Sequence, residues 1–240
     1  MTQAAAKHEI SPTPRQAIPP LENGAHLTRP EFERRFDATP ELKKAELIDG
    51  VVYMAPPPVS HDFHGVPHFR LITALGTYEV STPGVAGGDN SSIRLDLDNM
   101  PQPDIYLIVE PPCGGQAKID AEGYVEGAPE FVCEVAATSA SLDLHRKLDL
   151  YRRHGVKEYV VWRTLDGEID YFVARQGQYV KLDPQPSGEY RSETLPGLWL
   201  DAPAVLKGDW MSVMRKIQEG ISSTEHTAFV DQLKRKREAK

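Results

Sequence analysis

Two short runs decide how this chain reads: Pro103-Asp104-Ile105-Tyr106-Leu107-Ile108-Val109 and Pro129-Glu130-Phe131-Val132-Cys133-Glu134-Val135-Ala136. A Gly/Pro-rich loop, Glu110 to Ala128, separates them. Each run is apolar and bounded by turn-forming residues, the pattern of a buried strand. Each also carries an acid, Asp104 at the mouth of the first and Glu134 inside the second. Strand alternation puts Phe131, Cys133 and Val135 on one face and Val132, Glu134 and Ala136 on the other. A carboxylate in such surroundings is costly unless an arginine, a lysine or a metal ion compensates it. Carboxylates on neighbouring strand ends can share one hard cation. Such a cation can polarise a phosphodiester and activate the attacking water.

Working outward, Thr138, Ser139 and Ser141 offer N-caps for a helix reaching His154, with Leu144, Leu148 and Tyr151 as its apolar stripe and Gly155 at its C-terminal turn. Lys147 precedes Leu148 by one residue, about 100° round the helix and near the edge of the buried face. Its long stem can carry the ammonium across that edge to the acids. Alternatively, Asp143 holds it in a surface pair one turn away. Asp104 by itself also reads as a turn residue after Pro103, and Glu134 as half of an ion pair with Arg146 or Arg94.

Upstream, Thr28, Pro30 and Glu31 open a helix over about 29–37. Asp49-Gly50 joins Ala45–Ile48 to Val51–Met54, a strong hairpin signal, with Glu46 and Ile48 on one strand face. Pro56-Pro57-Pro58 ends the hairpin. Ser60 to Tyr78 reads as a helix interrupted by Pro67, with Phe69, Ile72 and Leu75 toward the core. Ser92 to Leu97 alternates as a half-buried strand, with Ile93, Leu95 and Leu97 on one face. Downstream, Glu158 to Trp162 is a further buried strand, and Ile169–Val173 and Gln178–Leu182 form a closing pair. Leu195-Pro196-Gly197 is a turn. The whole is an α/β chain, a mixed sheet flanked by helices.

The bulk numbers agree with one domain plus tails: 240 residues, 40% hydrophobic and 26% charged. The net charge of −8 argues against a surface coated in nucleic-acid-binding charge. The two cysteines, Cys113 and Cys133, have neither disulfide-framework nor metal-ligand spacing, so a cytoplasmic setting is the default. No run reaches the ~18 apolar residues of a membrane span.

The ordered set of segments resembles the Uma-two-type restriction endonuclease family of the PD-(D/E)xK nuclease superfamily. The segments are Glu46-Leu47-Ile48-Asp49-Gly50, Pro56 to His61, Pro103-Asp104, Gly127 to Val135, then Asp143, Lys147, Tyr151, Gly155 to Tyr159 and Leu195 to Leu198. The resemblance spans roughly residues 28–206. It implies a restriction-endonuclease-like mixed sheet with an additional antiparallel hairpin and a C-terminal helix. It implies a nuclease domain over 26–206; outside it, residues 1–25, Ala-, Pro- and polar-rich without periodicity, read as a flexible tail, and 207–240, helical and polar, as a surface tail that frays. It also implies a site for Mg²⁺, with Mn²⁺ as substitute, held by Glu46, Asp104 and Glu134, with Asp104, Glu134 and Lys147 catalytic and DNA as the substrate. The superfamily's lysine belongs at position 136, which is alanine here, so Lys147 is expected as a migrated lysine. Ala136-Ala137-Thr138-Ser139 also departs from the family's usual Leu-Ser-Pro-Ser.

His61, His64 and His68 share a helix face, either as zinc ligands or as a polar helix start. His61, which matches a family position, and Arg146 are expected to support the site or contact phosphate. His145, Arg146, Arg152, Arg153, His154 and Lys157 form a basic band, read either as phosphate contacts or as a solvated face. The basic run Lys234-Arg235-Lys236-Arg237 reads as a solubilising end or an electrostatic arm. Three functions follow: a metal-dependent DNA endonuclease, acting as a homodimer if it cuts both strands; a catalytically silent nuclease-fold binding module; and a phosphoesterase for another substrate.

Overall fold

The computed structural model describes residues 18–54 and 59–239. Residues 1–17, most of the expected N-terminal tail, and Pro56-Pro57-Pro58 lie outside the described residues. The end of that tail is packed rather than loose. Leu21 is buried beside Phe32, Leu47 and Val52, and Gly24 N and Val52 N donate to Val52 O and Ala25 O. Packed structure is therefore present before residue 26.

Helix α1 (Arg29–Asp37) buries Phe32. Strands β1 (Ala45–Ile48) and β2 (Val51–Met54) form the expected hairpin, whose Asp49-Gly50 corner has positive φ at both residues. A π turn (His61–Gly65) runs into α2 (Val66–Val80). The chain continues through β3 (Val85–Asp89), β4 (Ile93–Arg94), β5 (Ile105–Val109), β6 (Lys118–Ile119), β7 (Val125–Glu126) and β8 (Phe131–Ala136). A short α3 (Ala140–Leu142), a second π turn (Asp143–Lys147) and α4 (Leu148–His154) follow. Then come β9 (Glu158–Arg163), β10 (Glu168–Arg175), β11 (Gln178–Lys181), β12 (Glu189–Arg191) and β13 (Trp199–Asp201), and finally α5 (Ala202–Lys207), α6 (Trp210–Ile221) and α7 (Thr224–Glu238).

The central sheet has the order β11-β10-β9-β8-β5-β3. Only β8 and β9 run parallel; the other neighbours are antiparallel. Phe131, Cys133 and Val135 join the cluster that α2, α6 and α7 cover, while Val132 and Ala136 join the one under α4. Period-two alternation thus assigns Glu134 to the α4 face.

Three expectations need correction. The buried stripe of α2 is Leu71, Ala74, Leu75 and Tyr78, and Phe69 is 67% exposed. The stripe at 71, 74, 75 and 78 supplies more helical-period apolar contact than one phased on Phe69. The strand expected over Ser92–Leu97 stops at Arg94, because Leu95 N and Asp96 N turn toward Asn99 O; Leu97 is exposed. The C-terminal segment is not a fraying surface helix. Val213, Ile217 and Leu233 lie in the main core, and α6 crosses the 195–197 turn so closely that a Cβ on Gly220 would meet Gly197 O at 2.1 Å.

Candidate active site

The register Ile105↔Cys133, continued one step, sets Asp104 across from Glu134. Their backbones and carboxylates interlock. Val135 N donates to Asp104 Oδ2 (2.9 Å) and Asp104 N to Glu134 Oε2 (3.3 Å). Glu46 arrives from the hairpin, which is stitched to this edge by Leu47 N to Met100 O and Met100 N to Leu47 O. Gln102 N donates to Glu46 Oε1 at 2.7 Å.

The cation at the centre is Lys147. Its Nζ lies 2.9 Å from Glu46 Oε1, 3.0 Å from Glu134 Oε1 and 3.6 Å from Asp143 Oδ1, and the residue is only 3% exposed. Lys147 ends a π turn over Asp143–Lys147 that leads into α4. Asp143, Lys147, Leu150 and Tyr151, at i, i+4, i+7 and i+8, form the inward face, while Leu144 and Leu148 are only half-buried. Asp143 is a member of the cluster rather than a surface partner. Tyr151 OH also donates to Glu134 Oε1 (3.2 Å).

Lys44 closes the other side. Its Nζ donates to Asp104 Oδ1 at 2.8 Å and to Asn90 Oδ1 at 3.3 Å. Sequence reading passed over Lys44, Gln102 and the place of Asp143. The available signal was spacing, since residues two apart on a strand, as Lys44 and Glu46 are, share a face.

Of the three histidines, the π turn and α2 bring in His64 and His68. His64 Nδ1 pairs with Val135 O and His68 Nε2 with Asp104 O, both at 2.9 Å. His61 is exposed and makes no hydrogen bond to the cluster. Arg146 is exposed and has no ion pair among the described residues. Arg94 pairs instead with Glu33, Asp120 and Glu122, so neither arginine neutralises Glu134. The expected basic band is largely spent. Arg152 and Arg153 pair with Asp149, Arg153 also with Asp49, and His154 with Asp96. Lys157 lies 3.9 Å from Glu130, at the opposite end of β8. The C-terminal basic run also lies away from the acids, with Arg237 on Glu110 beyond the far end of β5.

Charge in the cluster is out of balance. Glu46, Asp104, Glu134 and Asp143 face the ammonium groups of Lys44 and Lys147, with the His64 ring 3.9 Å from Asp104 Oδ1, so the carboxyl groups outnumber the lysines by two. Burial, reinforced by Asp104, Asp143 and Glu46 against the pull of Lys147, pushes the Glu134 carboxyl up to about 8. Burial likewise raises Asp143 despite Lys147. Burial also opposes ionisation of Asp104, yet Lys44 and then His64 hold its carboxyl below the ordinary aspartate range.

These residues suit a hard divalent cation. The donors are carboxylate oxygens, the acids outnumber the lysines, and Asp143 Oδ1 is buried with no hydrogen-bond donor. Among the described residues no three His, Cys, Asp or Glu side chains are already arranged as a ligand set. The two lysines occupy the oxygens that such a set would use.

Fold and cluster together define the class: a restriction-endonuclease-like α/β protein with acids gathered at one edge of a mixed sheet. The chain belongs to the Uma2 family, described as "Putative restriction endonuclease", whose model matches residues 29–203. That is a nuclease family, for which nucleic acid is the implied substrate. In three dimensions the chain is similar to a "putative nuclease belonging to DUF820" from Anabaena variabilis, with a TM-score of 0.56 and 13% identity over 74% of this chain and 97% of that one. At that identity the likeness concerns the fold. No curated protein matches the chain. No helix among the described residues is long and apolar enough to cross a membrane.

Proposed function

We propose that this protein is a divalent-metal-dependent DNA endonuclease, with Mg²⁺ as its ion and Mn²⁺ able to substitute. The observation that supports this most is the overcharged acid cluster at the sheet edge, in a chain whose family is a nuclease family. Glu46, Asp104 and Glu134 would hold the cation, which when bound supplies Lewis-acid polarisation of the phosphodiester and a more acidic water. The chain's own contribution is orientation. Val135 N fixes Asp104, Gln102 N fixes Glu46, and Asp104 N and Tyr151 OH fix Glu134. Lys147, the migrated lysine, holds Glu46 and Glu134 together and keeps positive charge beside the reacting centre. His61 and Arg146, both exposed, are available to meet phosphates. Cutting both strands of a duplex calls for two such sites, which a homodimer would supply, and the proposal sets the protein in the cytoplasm.

The test is cleavage of supercoiled plasmid and single-stranded DNA by purified protein with Mg²⁺, Mn²⁺ or chelator. Metal-dependent nicking or linearisation is expected, and chelator should abolish it. Folded protein that binds DNA and Mn²⁺ but leaves both substrates intact would instead make this a silent nuclease-fold binding module.

A further inference from the structure

The two cluster lysines are not equivalent, and we propose that Lys44 is the residue that contacts the phosphate to be cleaved. The proposal rests on the nuclease reading above and adds a catalytic residue to it. An ammonium has three N–H donors. Lys147 Nζ is enclosed by oxygens of Glu46, Glu134 and Asp143 at 2.9, 3.0 and 3.6 Å, the last too long for a hydrogen bond, and its side chain is 4% exposed. Buried among these acids, it has no path to a substrate. Lys44 has two partners among the described residues, Asp104 Oδ1 and the exposed Asn90 Oδ1. Its third donor is uncommitted, and its side chain is 27% exposed.

Position agrees with chemistry. Lys44 immediately precedes β1, two residues before Glu46, and reaches Asp104 from the solvent side. An acid cluster with surplus negative charge repels an approaching phosphodiester. A cation at its rim that already touches Asp104 offsets that repulsion and can bond a non-bridging oxygen without leaving its carboxylate. Ala136 leaves the strand itself without a cation beside Glu134, so the substrate-facing charge comes from the hairpin.

Lys44→Met and Lys44→Arg separate the alternatives. In Ca²⁺, anisotropy with a fluorescent oligonucleotide duplex should show that Lys44→Met weakens binding and lowers the slope of log K against log salt by about one, the signature of one lost phosphate contact. At saturating plasmid with Mn²⁺, its cleavage rate should fall about a hundredfold, and Lys44→Arg should recover much of both. Wild-type salt slope and cleavage rate in Lys44→Met would overturn the proposal. Wild-type protein that fails to cut, with the slope still reduced in Lys44→Met, would defeat the nuclease reading while the phosphate contact stands. If wild-type protein neither cuts nor binds the duplex, both fall.

Discussion

Glu130 and Glu158 stand toward one end of the central sheet, Asp104 and Glu134 toward the other, and all four are buried. At the first end, neutral donors compensate most of the charge, with Lys157 3.9 Å from Glu130. Glu130 accepts from Val109 N (2.7 Å) and Gln116 N (3.1 Å). Glu158 accepts from Glu193 N and Thr194 N, both at 2.7 Å, and from Ser192 Oγ and Tyr171 OH. Those acids tie loops to strand ends. At the second end acids face acids, two lysines stand between them, and one carboxylate oxygen of Asp143 has no donor. Burial alone therefore does not mark a site. The marker is burial with charge left over, because saturated hydrogen bonding stabilises a carboxylate in place whereas surplus like charge must be neutralised by something that binds.

The largest expected effect tests that contrast directly. Asp104→Asn and Glu134→Gln should each abolish Mn²⁺ binding in titration calorimetry while the far-UV spectrum and cooperative unfolding persist. Unchanged affinity in both would make the acid-rich end as structural as the other. Next in size is Lys147→Met. It removes the partner of several buried carboxylates, and breaking such a pair costs about 3–5 kcal/mol. Urea unfolding should show a loss of that order; wild-type stability would mean that the acids do not depend on this cation. The smallest effect is at the other end. Glu158→Gln presents an amide to donors that expect oxygen, at a cost of about 1–3 kcal/mol. Mn²⁺ affinity and cleavage should be untouched, and a change in either would break the division between the two ends.

Much of this was legible in the residues. Asp49-Gly50 fixed the hairpin, because a two-residue loop needs positive φ at both positions. Alternation in Phe131 to Ala136 fixed which face carries Glu134. The Asp104 and Glu134 pair stood out because an acid at or inside an apolar strand demands compensation. The expectation of a polar surface helix over 207–240 underweights the stripe of Trp210, Val213, Met214, Ile217 and Ile221 in α6, which recurs at helical spacing and packs on the main core.

Local pattern thus determined the strands, the hairpin and the two strand acids, since each depends on backbone periodicity within a few residues. Tertiary structure alone decided which cations reach those acids. Lys147 faces inward on the same helix face as Asp143 and Tyr151, and only the packing of that face against β8 and the hairpin brings Glu46 and Glu134 to it. Lys44 meets Asp104 across sixty residues of sequence, because the hairpin docks through Leu47 and Met100 against the chain leading into β5. Side-chain charge pairing between distant segments depends on that docking, and neither segment's own pattern encodes it.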